Sequence, residues 1–307
     1  MRIGVDLGGT KIEIVALDDA GRTLVRRRVP TPAYDYDAIV RAIAQLVEDV
    51  EDELATRASV GVATPGSARG VRGVMQNANS TVLIGKPLGR DLSERLGREV
   101  RIANDANCFA LSEAVDGAAS SASRIFGVIL GTGVGGGIAI ERRVIEGLNG
   151  IAGEWGHNPL PWPRPSELPG PACYCGKRGC IETFLSGPAL ARDHLAHGGP
   201  ASDAKALAQA AATGNLAAAA TLERYVDRLA RALATVINVL DPDAVVLGGG
   251  LSNLELLYDE LPVRLPAYIF CAAPRTPVLR AAHGDSSGVR GAAWLWNGDG
   301  AQKWSPR

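Results

Sequence analysis

IGVDLGGTKIEIVAL, residues 3–17, decides how this chain is read. Ile3, Val5 and Leu7 alternate with smaller or polar residues, and Ile12, Ile14 and Ala16 do so again after a glycine pair. Alternation at period two on both sides of a tight turn predicts an antiparallel β-hairpin. Asp18-Asp19-Ala20-Gly21 marks a second turn, into a third strand over Thr23–Val29. The Arg26-Arg27-Arg28 run on that strand reads as a solvated sheet edge, where charge discourages further pairing.

Outward from the hairpin the pattern changes to helical spacing. Ile39, Ala42, Ile43, Leu46, Val47, Val50 and Leu54 give one amphipathic helix. Val60–Thr64 and Val100–Ala103 are expected as buried strands, the second leading into a helix near Asp105–Ala114. From about Ser120 the theme repeats, with strands near Ile125–Leu130, Gly137–Glu141 and Val144–Ile145, then helices. A long helix carries Leu222, Val226, Leu229, Leu233, Ile237 and Leu240 on one face, and Ala244–Leu247 is a short strand. A last helix is expected over Gly288–Trp296, capped by Ser286 or Ser287. The repeated plan and the 307-residue length suggest two related α/β lobes with a cleft between them, where small ligands usually bind.

Hydrophobic residues make up 46% of the chain, enough for sizeable cores, and the net charge of −1 with mixed signs points to neither nucleic acid nor an anionic membrane as partner. The start, MRIGVDLGGTK, is too polar for a signal peptide, and no apolar run reaches membrane-spanning length, so a cytoplasmic location is expected.

Three glycine clusters follow strands: Gly8-Gly9 with Thr10-Lys11 after Asp6-Leu7, Gly131-Thr132-Gly133 through Gly137, and Gly248-Gly249-Gly250. Glycine lets backbone amides approach an anion without a Cβ in the way. The middle cluster contains GxGxxG, but a dinucleotide fold needs a helix directly after it, and Ile138-Ala139-Ile140 is strand-like. A P-loop fails at Gly176-Lys177-Arg178, where spacing and the Ser/Thr are both wrong. Phosphates held between two β-hairpins remain.

On these motifs the chain resembles the sugar kinases of the ROK family, which belong to the actin/Hsp70/hexokinase group of two-lobed ATPases with RNase H-like lobes. The resemblance runs from residue 3 to about 296. Asn77-Ala78-Asn79-Ser80, Gly156-His157-Asn158-Pro159-Leu160-Pro161-Trp162 and His283-Gly284-Asp285-Ser286-Ser287-Gly288 bring it nearest to bacterial fructokinases of that family. It implies an N-terminal lobe over 1–117, with the helix 287–297 packing back on it. The other lobe spans 118–286 and includes a zinc-bound loop at 153–182. It also implies ATP-dependent transfer to the 6-hydroxyl of a hexose, fructose first, with glucose, mannose or an N-acetylhexosamine as alternatives.

By the same resemblance Asp105 is the general base, although an Asp at a strand-to-helix junction also reads as a helix cap. Asp6 is suited to Mg²⁺, a hard cation that prefers oxygen ligands. Thr10, Thr132 and the neighbouring glycine amides would contact the phosphates, and Gly248, Gly249 and Gly250 the adenosine. Lys11 is either a point charge for phosphate or a solvent-facing residue of the second strand. Asn79, Asn104, Asp105, Glu154, His157 and Glu182 would meet the sugar, since carboxylates and amides pair well with adjacent hydroxyls.

CYCGKRGCIE, residues 173–182, holds three of the five cysteines. Cys173, Cys175 and Cys180 are three soft ligands, and His157 is the nearest candidate for the fourth that a tetrahedral zinc requires. The resemblance implies the same set, with a structural role. Redox chemistry would want CxxC spacing beside a thioredoxin-like unit. His194 and His197 read as surface residues, and Cys108 and Cys271 as small buried ones.

Other classes fit less well. A glycosidase needs two carboxylates and no phosphate cradle. His283, Asp285 and Ser286 lack the nucleophile-elbow sequence of a hydrolase, and read as a loop and helix cap. A non-catalytic sugar-binding regulator of the family carries a preceding helix-turn-helix domain, for which residues before the first turn leave no room. Relatives suggest a homodimer.

Overall fold

The computed structural model describes residues 1–67, 73–78, 80–284 and 287–297. The expected meander is present as β1 (Arg2–Leu7), β2 (Lys11–Leu17) and β3 (Thr23–Pro30). β4 (Ser59–Thr64) and β5 (Val100–Asn104) add parallel strands, giving the order β3-β2-β1-β4-β5. The second half repeats this plan. β6 (Arg124–Leu130), β7 (Val134–Ile140) and β8 (Arg143–Val144) form a meander, and β9 (Ala244–Gly248) and β10 (Val278–Arg280) extend it in parallel as β10-β9-β6-β7-β8.

The outer face of the first sheet is covered by α1 (Tyr36–Leu54) and α2 (Leu88–Leu96), whose buried Ile39, Ile43, Val47 and Leu92 share a core with Ile3, Val5, Ile12 and Ile14. The buried side chain row on α1 follows the helical period read from the sequence. Against the second sheet lie α4 (Glu182–Leu185), α5 (Gly187–Ala196), α6 (Ala204–Ala212), α7 (Leu216–Leu240) and α8 (Leu256–Arg264). None of the described helices is long and apolar enough to cross a membrane.

Two helices occupy the space between the sheets: α3 (Asp105–Val115) and the returning α9 (Ser287–Trp294). They pack by backbone approach. A Cβ built on Gly61 of β4 would stand 1.9 Å from the Ala292 carbonyl of α9, and one on Gly137 of β7 would stand 2.2 Å from the Ala106 carbonyl of α3. Gly137 therefore lies in a strand because a helix crosses it at close range. This corrects the middle glycine cluster: β7 begins at Val134, so only Gly131-Thr132-Gly133 forms the turn. The last helix ends at Trp294 rather than Trp296, and the Ser286 cap lies outside the described residues.

The proline-rich segment has an anchor that the sequence did not suggest. Buried Glu167 accepts hydrogen bonds from Arg228 Nε at 2.8 Å and from Arg231 Nη2 at 2.9 Å, while Arg231 Nη1 also donates to the carbonyls of Pro161 and Trp162. One face of α7 thus grips the loop through a fully partnered ion network, the condition under which buried charge is tolerated. Two expectations are overturned nearby. His194 is buried, with Nδ1 2.9 Å from the Thr221 hydroxyl, and Cys271 is exposed.

Candidate active site and metal centre

β1 runs straight into the first glycine turn, where Gly8 N donates to the Lys11 carbonyl at 3.0 Å and the Thr31 hydroxyl to the Gly8 carbonyl at 2.7 Å. Gly9, Thr10 and Lys11 are exposed. In the second sheet the corresponding hairpin is tightened by Gly131 N on the Gly133 carbonyl at 3.0 Å, and Gly187 N donates to the Gly131 carbonyl at 2.8 Å. Asp6, Gly8, Gly9, Ser80, Asp105 and Gly249 line a cavity of about 460 Å³. Gly131, Thr132, Lys205 and Gly250 line another of about 660 Å³. Gly249 and Gly250 are consecutive, so both cavities border the turn after β9, and each of the three glycine turns lines one or both.

Asp105 is the first residue of α3, but it does not carry the cap. The Asn104 side chain does, accepting from Asn107 N at 2.8 Å. Asp105 accepts from the next residue's amide, Ala106 N at 2.8 Å, and lines the cleft. Surrounding protein still raises its pKa by desolvation. Asp6 is pushed up to about 6, by burial first, then by Asp105 and Glu13, with Lys11 and Arg28 acting in the opposite direction. Lys11 thus lies close enough to act on the cleft, although it is exposed.

Burial also raises the Glu154 pKa, followed by a lowering effect of His157 and raising effects of Asp105 and Glu182. These four groups therefore share one field. Glu182 opens α4, and its carboxylate accepts from Val134 N at 2.9 Å, which fixes it beneath the second glycine turn. Trp155 braces the Glu154–His157 turn by donating Nε1–H to the Gly135 carbonyl at 2.9 Å. Asn79 falls outside the described residues, as do Asp285 and Ser286. Sequence reasoning missed Ser80 and Gly288 as cleft residues; a Cβ on Gly288 would be 3.7 Å from the Asp6 carboxylate. The only sequence signal was their place at the edges of the quoted family motifs.

His157, Cys173, Cys175 and Cys180 converge, their ligand atoms all within 4.8 Å of one another. Cys175 Sγ is 3.6 Å from Cys180 Sγ, and Cys173 Sγ is 3.6 Å from His157 Nδ1. Two sulfurs bound at about 2.3 Å to one tetrahedral zinc lie roughly 3.7 Å apart, so the donor set and spacing fit that ion. The same sulfurs are not bonded to one another, which sets aside the disulfide reading. His157 Nε2, the other ring nitrogen, is 2.9 Å from the Tyr174 hydroxyl.

Two α/β sheets of repeated topology, with a carboxylate-lined cleft ringed by glycine turns, define the sugar-kinase class of hexokinase-like fold. Comparison places the chain within it: residues 2–299 match the ROK family model, and the chain belongs to the ROK family. It is 42% identical over 299 residues to an N-acetyl-D-glucosamine kinase of Vibrio atlanticus, covering 96% of this chain and 99% of that one. Among solved structures it is similar to a ROK hexokinase from Thermus thermophilus, with TM-score 0.84, 34% identity and 96% and 97% of the two chains covered. It is also similar to a Streptomyces griseus ROK glucokinase in complex with glucose and AMPPNP, with TM-score 0.75, 30% identity and 96% and 98% coverage. The ROK expectation holds. The fructokinase expectation finds no support in these relatives, which are an N-acetyl-D-glucosamine kinase, a hexokinase and a glucokinase.

Proposed function

We propose that this protein is an ATP-dependent kinase that phosphorylates the 6-hydroxyl of N-acetyl-D-glucosamine. The observation that carries the chemistry is Asp105: Asn104 takes over the helix cap, which leaves the Asp105 carboxylate facing the cleft that the glycine turns enclose. The substrate reading is supported by the 42% identity, over almost the whole chain, to kinases of that name. It replaces fructose, and one of the alternatives weighed from sequence becomes the main reading.

In this reading Asp105 accepts the proton of the attacking hydroxyl as its oxygen bonds to the γ-phosphorus, while the bond from that phosphorus to the β–γ bridging oxygen breaks and ADP leaves. A carboxylate is a weak base toward an alcohol, so before the transition state its main effect is positional. Glu154, Glu182 and Asn104 orient the ring through paired hydroxyl contacts. Amides of Gly8, Gly9, Thr10, Gly131, Thr132 and Gly133, with Lys11, hold the phosphates, and Gly248–Gly250 turn the chain beside the adenosine. Repulsion between Asp6 and Asp105 is of the kind a cation relieves, so Asp6 suits Mg²⁺, which would neutralise phosphate charge. A zinc ion on His157 and the three cysteines would have a closed shell and brace the loop. Residues 1–117 with 287–297, and 118–286, are the two bodies proposed to close on the substrates.

A coupled ADP-release assay over N-acetyl-D-glucosamine, N-acetyl-D-mannosamine, glucose, mannose and fructose tests this. The highest kcat/KM is expected for N-acetyl-D-glucosamine. Preference for another sugar overturns the substrate, and no turnover with any of them overturns the kinase reading.

A further inference from the structure

The Arg26-Arg27-Arg28 run is not simply a solvated edge. In the β1–β2 register Asp6 stands opposite Glu13, and in the β2–β3 register Glu13 stands opposite Arg28. Directly opposed residues project on the same face, so Asp6, Glu13 and Arg28 form one row across three strands. Glu13 is 1% exposed, and both its oxygens are taken: Oε1 accepts from Arg26 Nε and Oε2 from Arg28 Nε, each at 2.6 Å. Arg27, between them, turns the other way and pairs with Glu53 of α1. The side chains of Arg26 and Arg28 are 44% and 43% exposed, so the guanidinium groups reach inward from the sheet edge.

Glu13 and Asp6 stand in one row with Arg28, and either carboxylate can accept from a guanidinium lying along it. Arginine forms its strongest pairs with carboxylates, through a planar fork that occupies both oxygens. The charge of Arg28 already acts on Asp6 from one strand away. A guanidinium that moved one strand further would turn Asp6 from an open cleft carboxylate into half of an ion pair. We propose that Glu13 is a positioning residue that retains Arg26 and Arg28 at the sheet edge, keeping the Asp6 oxygens available to the divalent cation that accompanies the nucleotide. This inference rests on the assignment of the cation to Asp6 in the proposed function.

The test reads cation binding rather than turnover. Mn²⁺ binding, in the presence of a non-hydrolysable ATP analogue, is followed by electron paramagnetic resonance. Glu13→Gln is expected to weaken Mn²⁺ binding about fivefold, the order of effect that a competing ion pair exerts. Glu13→Gln combined with Arg28→Gln is expected to recover most of that loss, because the competitor is gone. Arg28→Gln alone is expected to bind Mn²⁺ at least as tightly as the parent, a readout that does not depend on Glu13→Gln folding. Parent-like Mn²⁺ affinity in folded Glu13→Gln, no recovery in the double variant, or weakened binding in Arg28→Gln would each overturn the inference. Asp6→Asn separates the two levels: undiminished Mn²⁺ binding there overturns the cation assignment itself, and the inference with it.

Discussion

Ser287 donates its hydroxyl to Glu113 at 2.9 Å across 174 residues of sequence. Fully buried Glu113 also accepts from Ala118 N at 2.8 Å and from Ala282 N at 3.0 Å. One carboxylate therefore ties the segment leaving α3 to the segment returning into α9. Glu113→Gln supplies one acceptor oxygen where two are used. Unsatisfied buried donors cost about 1–3 kcal/mol each, so the variant should unfold at lower denaturant, by an amount in that range. Unfolding at parental denaturant concentration would show that the junction is not held by this residue.

Asp105→Asn keeps the size of the side chain and removes the base. The turnover number with the preferred sugar should fall by roughly 10²–10⁴, the usual contribution of a positioned acid or base. Binding of an ATP analogue, measured by calorimetry, should stay within about twofold if the role is confined to the sugar hydroxyl. Retained turnover removes Asp105 from its role.

The pH dependence follows from Asp6. Its folded pKa is raised to about 6, so the protonated form is favoured in the fold, and the ionised form that binds a cation dominates only above that pH. By linkage, this group favours the folded state at acidic pH and loses that contribution as pH rises through about 6. Activity at limiting Mg²⁺ should therefore decline as pH falls through about 6, and saturating Mg²⁺ should move the decline to lower pH. A profile flat to well below 6, at limiting Mg²⁺, contradicts the assignment.

Metal content tests the cysteine cluster. Purified protein should carry about one zinc per chain, and Cys180→Ser should lose it. Because the loop also leads into Glu182, sugar affinity should drop about tenfold or more while nucleotide affinity changes little. Equal losses of both, or protein that retains its sugar affinity without metal, would separate the cluster from the sugar site. Collapse of the loop is not expected, since the Arg228–Glu167–Arg231 network grips it independently.

The strands and the main helices were legible because their periods are strong: Ile3, Val5, Leu7, Ile12, Ile14 and Ala16 are buried as alternation selected, and Ile39, Ile43, Leu46, Val47 and Val50 as helical spacing did, with Ala42 and Leu54 partly buried. The cysteine set with His157 was legible through its spacing, and the place of Asp105 on the cleft wall through its strand-to-helix junction. What was not legible depends on partners distant in sequence. Glu13 and Arg28 look like ordinary alternating strand residues until two registers align them with Asp6. His194 looks like a surface helix residue until α7 brings Thr221 to it. The glycines of β7 look like a turn until α3 is laid across them.

The placement of α9 has a consequence for biosynthesis. Its residues 287–294 supply the inner wall of a sheet whose first strand is residues 2–7, with Gly4 set against the Val289 carbonyl. A ribosome has made residues 1–286 before that wall exists. The second sheet and its helices, all encoded between, can complete their packing first, whereas the nucleus of the amino-terminal half stays open on one side. A released chain ending just before Ser287 should accordingly protect the region around α7 from protease and leave β1–β3 susceptible, an order reversed with respect to the direction of translation.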